Sequence, residues 1–229
     1  MDNIDRFEER KAKYTPVALA LRELYGDINW SRGLPPLDEL VDCILSQSTT
    51  DINRDRAFEA LKSRYPTWDA VRDAPLQELI EVIRPAGLAN QKAPRIQEVL
   101  CRIEAEHGAL NIDFLNEMPI DEAKRWLTTL NGVGPKTAAI VLCFAFNRPA
   151  FPVDTHIHRV GQRIGFLPLG VSADKAHPLM EAIVPPADYY AFHIHLITHG
   201  RKICQARAPK CERCPLTDYC DYYKGYKTG

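Results

Sequence analysis

Four of the seven cysteines crowd into seventeen residues near the C-terminal end and have the spacing of a metal site. Thiolates are the preferred protein ligands of zinc and of iron–sulfur clusters. Zinc sites usually pair two C-x2-C knuckles, whereas this segment has one, so its spacing favours a cluster over zinc. Four unligated cysteines at this density are the least favoured interpretation. The pattern is C-x6-C-x2-C-x5-C, formed by Cys204, Cys211, Cys214 and Cys220.

A second segment, Leu130–Ala138, places two glycines, a proline and a lysine between two apolar-periodic stretches. Gly132 and Gly134 permit a tight turn and close backbone approach. Pro135 suits the first position of a helix. The backbone amides from Gly132 through Val133 and Gly134 to the helix start would then face outwards and bind an anion such as a phosphate. This pattern predicts a helix-hairpin-helix, and a glycine turn without a ligand is the alternative.

The lysine of this segment, Lys136, stands at the predicted start of a helix, where a positive charge is unfavourable by about 0.3–1 kcal/mol. The same helix dipole favours the neutral amine, which is the form that attacks carbon to give a Schiff base. Eighteen residues later, Asp154 precedes another helical stretch in the sequence V-D-T-H-I-H-R-V. A helix cap is the ordinary interpretation of this aspartate, and a proton-accepting carboxylate is the chemical one.

Taken together, these motifs resemble the endonuclease III family of DNA glycosylase/AP lyases, the iron–sulfur type within the helix-hairpin-helix glycosylases. The resemblance extends over residues 38–220. It implies that the four cysteines hold a structural, DNA-positioning 4Fe–4S cluster. It also implies that Lys136 is the nucleophile and that Asp154, in the V-D-T-H motif, is the catalytic aspartate.

The activity that this resemblance implies is base excision repair. A damaged, oxidised pyrimidine would be excised from duplex DNA through a Schiff base on Lys136, and β-elimination would then cut the strand. The expected partner is double-stranded DNA with damaged bases or abasic sites, bound by a monomer. His156 of the V-D-T-H motif and the basic residues Arg207 and Lys210 of the cysteine segment are expected to contact this DNA.

An enzyme that acts on a base must extrude it from the duplex and fill the gap. The turn-like stretch Ala86–Ala93 resembles the family loop whose leucine intercalates, which makes Leu88 the candidate wedge. A leucine folded into the core is the alternative. The stretch Leu45–Asp51 resembles the segment that carries the gap-filling glutamine. Without an alignment gap that position falls on Ser48, with Gln47 one residue earlier, and either side chain would serve.

Apolar residues recur at helical spacing throughout the chain, without a convincing alternating strand, so the predicted fold class is all-α. The family resemblance implies two helical lobes with a DNA-binding cleft between them. The first would be a six-helix lobe, residues 38–148, with the hairpin. The second would combine residues 1–37 with 149–229 and hold the iron–sulfur cluster loop. Two predictions concern single residue types: His195 and His199 are expected in the core or beside the cluster, and Cys43, Cys101 and Cys143 are expected to be buried.

The composition is that of a globular protein, with 45% hydrophobic and 26% charged residues. The net charge of −1 does not indicate nucleic acid, but residues 201–229 carry seven basic and three acidic side chains, a local charge of +4 (7 − 3). No apolar run approaches the ~20 residues that span a bilayer. The charged N-terminal stretch has no signal-peptide character. The expected location is therefore the cytoplasm, in association with the nucleoid, with no membrane partner.

Two other functions fit parts of the pattern. A monofunctional glycosylase for mismatched bases would share the hairpin, the aspartate and the cluster but would lack Lys136. A non-catalytic DNA-binding protein with a structural metal would need neither Lys136 nor Asp154.

Overall fold

The computed structural model describes residues 3–227, and every regular element in this range is helical, which confirms the all-α prediction. None of the described helices has the length and apolar character of a bilayer-spanning segment. The α-helices are α1 (Asn3–Ala12), α2 (Tyr14–Tyr25), α3 (Pro36–Ser46), α4 (Asp51–Arg64), α5 (Trp68–Arg72), α6 (Leu76–Val82), α7 (Ala89–His107), α8 (Ile120–Thr128), α9 (Pro135–Ile140), α10 (Thr155–Ile164), α11 (Ala173–Ile183), α12 (Tyr189–Lys202) and α13 (Asp221–Lys227).

The chain divides into two compact units. The central unit is Arg32–Arg148 and contains α3 to α9. The terminal unit joins Met1–Ser31 to Pro149–Gly229 and contains α1, α2 and α10 to α13. Lys136 therefore belongs to the central unit, and Asp154 and the four clustered cysteines belong to the terminal unit.

Helix α3 forms the centre of the central unit and packs on α4, α7 and α9. It starts with Pro36 at a first-turn position, where a missing amide proton costs nothing. Leu40, Val41, Ile44 and Leu45 have no exposed side-chain surface. Because this apolar stripe fixes α3 in the core, its C-terminal end at Ser46 gives the following Gln47–Thr50 segment a defined starting point.

The longest helix, α7, packs on α5 and α6 through a fully buried stripe at helical spacing, made of Ile96, Val99, Leu100 and Ile103. It begins directly after Leu88 and ends at Gly108, which has a φ of 71°. Helices commonly end with a glycine in this left-handed conformation. Cys101 lies off this stripe and is exposed, so the prediction that it is buried is wrong, whereas Cys43 and Cys143 are buried.

In the terminal unit, α12 packs on α2 and α10. Phe151, Phe166 and Phe192 form its buried aromatic core, with ring centroids 6.0–6.4 Å apart in two pairs. His195 is buried, and its Nε2 lies 2.9 Å from the carbonyl oxygen of Gly26 at the end of α2. This confirms the prediction of a core histidine and shows how the N-terminal helices attach to this unit.

Candidate active site and metal centre

The turn between α8 and α9 has the geometry of a helix-hairpin-helix. The amide of Val133 donates to the carbonyl of Leu130 at 3.1 Å. Gly132 has a φ of 78°, a conformation that residues with a Cβ rarely adopt. A Cβ on Gly132 would also lie 3.0 Å from Cδ of Arg95. Gly134 has an extended backbone and occupies the N-cap position of α9, where it offers no side-chain acceptor. Pro135 follows it at the helix start. The first amides of α9 thus have no side-chain cap, which suits them to an anion.

Two side chains of the central unit fix this hairpin. The Nε2 of Gln47 donates to the carbonyl oxygen of Gly132 at 2.8 Å. The Nδ2 of Asn131 donates to a carboxylate oxygen of Glu98, on α7, at 2.8 Å. The structure therefore brings Gln47 and the hairpin together, and one donor of the Gln47 amide is bonded to the hairpin backbone.

Lys136 lies in the first turn of α9, and its side chain is exposed. Beyond Ile140 the helix continues as a π-helical stretch, Val141–Ala145. Helix α3 packs on α9 and carries two acidic residues, Glu39 and Asp42, that the sequence analysis did not single out. Burial, reinforced by Asp42, raises the pKa of Glu39 to about 7.

Cys43 interacts electrostatically with the acidic residues of α3 and also with Lys136. The Sγ of Cys43 lies 3.9 Å from Oε1 of Glu39. Burial and the Glu39 charge raise the pKa of Cys43 above its usual range, while the positive charge of Lys136 opposes this rise. Burial also raises the pKa of Asp42 to about 6, against the attraction of Arg54, whose Nε lies 3.4 Å from the Asp42 carboxylate. Acids that interrupt an apolar helix were the sequence signal for this group.

Asp154 caps α10, because its Oδ1 accepts from the amide of Ile157 at 2.7 Å. The capping interpretation of this aspartate is therefore confirmed, and its carboxylate is half-buried. Two residues on, Nδ1 of His156 lies 3.1 Å from Nη2 of Arg159. Arg159 in turn donates to the carbonyl oxygens of Cys204 and Gly200, at 3.1 and 2.9 Å. The start of α10 is thus tied to the cysteine segment.

The two candidate insertion residues share an uncommon backbone. Ser48 has a φ of 54° and Leu88 a φ of 50°, both in the left-handed region that residues with a Cβ rarely adopt. Ser48 is exposed, and Leu88 is 50% exposed, so the alternative of a leucine folded into the core is wrong. Residues held in such a conformation concentrate at functional sites.

The four clustered cysteines line one cavity, together with apolar side chains such as Val160 and Leu216. Two nitrogen atoms lie next to the sulfur atoms: Nη1 of Arg163 donates to Sγ of Cys204 at 3.3 Å, and Nε2 of His199 lies 3.5 Å from Sγ of Cys214. Hydrogen bonds to sulfur and an apolar surround are what an iron–sulfur cluster requires of its protein. The donor set fits such a cluster, and the expectation that His199 lies beside it is confirmed.

The environment of these thiols also bears on metal loading. Burial raises the pKa of Cys214 to about 11, and it raises the pKa of Cys220 and Cys211 above the usual value. Metal binding must therefore displace protons from thiols that would otherwise stay neutral.

Arg207 and Lys210 are exposed beside the ligands, as a phosphate contact requires.

Comparison with known proteins gives the same family from both regions. Residues 41–186 match the HhH-GPD superfamily of base excision DNA repair proteins, and residues 204–220 match the iron–sulfur binding domain of endonuclease III. An endonuclease III from Sulfolobus acidocaldarius is 36% identical over 182 residues, 79% of each chain. A putative DNA glycosylase from Arabidopsis thaliana is 35% identical over 195 residues, which are 81% of this chain and 66% of the relative. The chain thus spans just under two thirds of the length of that relative.

A solved structure shows the same fold. The structure of a trapped endonuclease III–DNA covalent intermediate superposes with a TM-score of 0.81 at 30% sequence identity. The superposition covers 95% of this chain and 98% of the other.

Proposed function

Because the chain belongs to the HhH-GPD superfamily of base excision DNA repair proteins and is an endonuclease III-like DNA glycosylase/AP lyase, we propose that Lys136 is its nucleophile. The observation that carries this proposal is the position of Lys136. It is an exposed amine in the first turn of a helix that follows a glycine hairpin and has no side-chain cap. This position leaves the amine accessible to a bound sugar, and a lysine amine is the nucleophile that Schiff-base chemistry requires.

The proposed reaction has two bond-breaking stages. The neutral amine of Lys136 attacks C1′ of the deoxyribose, the glycosidic bond breaks, and the base departs with the bonding electrons. Opening of the sugar ring leaves a Schiff base between Lys136 and C1′. Removal of a proton from C2′ then expels the 3′ phosphate by β-elimination and cuts the strand. Asp154 assists by accepting a proton or by stabilising positive charge on the sugar.

The substrate class that we propose is an oxidised pyrimidine in duplex DNA, as the resemblance to the endonuclease III family implies. The hairpin amides of Gly132, Val133 and Gly134, with Arg207 and Lys210, would hold backbone phosphates. His156 would contribute a further DNA contact. Leu88 would wedge between base steps, and the exposed Ser48 would fill the gap next to Gln47, whose amide donates to the carbonyl oxygen of Gly132.

We further propose that the iron–sulfur centre is of the 4Fe–4S type, bound by Cys204, Cys211, Cys214 and Cys220. When bound, such a cluster supplies structural order and a fixed charge distribution rather than hydrolytic chemistry. Arg163 donates to Cys204 and His199 is hydrogen-bonded to Cys214, and both residues would hold these ligands in place.

The decisive experiment is borohydride trapping on duplexes that carry a single thymine glycol or abasic site. Wild-type protein should form a covalent adduct, and Lys136→Gln should form none while it still binds the duplex. Lys175→Gln is the matched control, because Lys175 is also exposed and also lies in the first turn of a helix. It should trap like the wild type.

The other outcomes assign different chemistry. Undiminished trapping by Lys136→Gln would refute the Schiff base on this residue. Base release by the wild type without any trapping would favour a monofunctional glycosylase. Loss of binding with a salt dependence of affinity reduced by about one counterion would show that Lys136 is only a phosphate contact.

A further inference from the structure

The most buried charge in the central unit belongs to Lys92, near the start of α7. Its side chain is 1% exposed, and it is among the largest fully buried side chains of the described residues. A buried ammonium is costly unless its donors are satisfied. Here Nζ donates to the carbonyl oxygen of Leu45 at 2.7 Å and to that of Ala86 at 2.8 Å.

Both acceptors lie directly behind the candidate insertion residues. Leu45 is the penultimate residue of α3 and precedes Ser48 by three positions. Ala86 ends a short 3₁₀ turn and precedes Leu88 by two positions. Carbonyls at the C-terminal end of a helix lack intrahelical donors and carry the negative end of the helix dipole. They are therefore suitable acceptors for a cation, although burial lowers the pKa of Lys92.

The backbone around Lys92 adds to this connection. Its amide donates to the carbonyl oxygen of Leu88 at 3.0 Å, so one residue is bonded to the wedge through its main chain and to both flanking segments through its side chain. Ser48 and Leu88 are both held at positive φ, and strained residues keep that conformation only where the surroundings determine it.

We propose that Lys92 is a positioning residue that links the gap-filling segment to the wedge, so that Ser48 and Leu88 enter the duplex as one preformed unit. This inference rests on the proposed function, in which these two residues take the place of the extruded base. Lys92 touches no substrate in this proposal, and it acts only through the two segments that it joins. Its loss should therefore impair base extrusion and leave the chemistry of Lys136 intact.

The test is a double-mutant cycle between Lys92→Met and Leu88→Ala, measured as single-turnover excision from a duplex. Methionine is an unbranched side chain one heavy atom shorter than lysine, and it removes the donors. Lys92→Met should slow excision at least tenfold in the wild-type background and less than threefold in the Leu88→Ala background, because contacts in one network are not additive. Lyase cutting at an abasic site in a single strand, which needs no extrusion, should change less than twofold.

Ile96→Val is the matched control, since Ile96 is fully buried on the same helix but donates no side-chain hydrogen bond. It should slow excision equally in both backgrounds, if at all. Equal losses for Lys92→Met in both backgrounds, or equal losses on duplex and single strand, would overturn the proposal. If Lys92→Met loses its helical circular dichroism, Lys92→Gln replaces it in the cycle under the same criteria, because the glutamine amide is one atom shorter than lysine and should not bridge both carbonyls.

Failure of the proposed function gives a different result from failure of this inference. If the wild type neither excises nor traps, the assignment of Lys136 fails and the cycle has no signal to compare. If the wild type is active and the cycle is additive, the proposed function stands and Lys92 is only a core residue.

Discussion

The substitution Asp154→Asn separates the structural role of this residue from its proposed chemical role. In the structure, Oδ1 of Asp154 accepts from the amide of Ile157 at 2.7 Å and so caps α10. Asparagine offers an equivalent oxygen and caps nearly as well, so we expect the free energy of unfolding to change by no more than about 0.5 kcal/mol. Asp154→Ala removes the cap and should cost about 1 kcal/mol, or about 2–4 °C in melting temperature for a chain of this size.

The two variants should nevertheless be equally inactive. A positioned acid or base contributes about 10²–10⁴ in rate, so both should lower single-turnover excision at least about 100-fold. Ser172→Ala is the matched control, because Oγ of Ser172 caps α11 by accepting from the amide of Lys175. It should lose about as much stability as Asp154→Ala and keep wild-type turnover. If Asp154→Asn retains excision within threefold of the wild type, the carboxylate is only a cap and the proposed mechanism is wrong.

Three further predictions concern the cluster, the wedge and the acidic group on α3. Cys211→Ala should reduce the iron content from about four per chain to near zero and impair folding, whereas Cys101→Ala should leave the iron content unchanged. Zinc without iron or sulfide in anaerobically purified wild-type protein would contradict the cluster. Leu88→Ala should slow duplex excision about tenfold or more with little change in melting temperature, and Leu169→Ala, which also removes an exposed leucine, should not; equal loss of single-strand lyase activity would contradict a wedge. The pKa of Glu39 is raised from 4.5 to about 7, so the folded state holds a proton that the unfolded state releases in this window. The stability that this proton provides is complete below about pH 4.5 and is lost as the pH rises to about 7, a change of at most about 3 kcal/mol. Urea denaturation at pH 5 and 7.5 should therefore show Glu39→Gln more stable than the wild type only at the higher pH, and an equal offset at both pH values would contradict it.

Most of the metal site and the hairpin could be predicted from the sequence because both depend on the spacing of residues that are close along the chain. Four cysteines within seventeen residues and a Gly-Val-Gly-Pro-Lys turn each depend on neighbours along the chain. Helical periodicity likewise located α10 and the all-α fold. The cap formed by Asp154 was predictable for the same reason, because a capping side chain acts within one turn of its own backbone.

The residues that sequence reasoning missed depend on contacts distant along the chain. Lys92 lies in a polar stretch next to an exposed loop, and only the carbonyls of Leu45 and Ala86 show why its side chain is buried. The hydrogen bond from Gln47 to the carbonyl of Gly132, 85 residues away, likewise had no signal in the local sequence. Cys101 was misplaced because one position off a helical stripe is enough to face solvent.

The hydrogen bond between Tyr25 and His199, whose Nδ1 lies 3.1 Å from the tyrosine hydroxyl, joins residues 174 positions apart. At a ribosomal rate of ~5–20 residues per second, Tyr25 waits ~9–35 s before its partner is synthesised. Residues 32–148 are translated completely within that interval, and Nε of Arg32 closes their two ends by donating to the carbonyl of Ala145 at 3.0 Å. The nascent chain can therefore fold its middle unit first, and the flanking segments complete their own core, with the cysteine loop, only after residues 149–220 have also been translated.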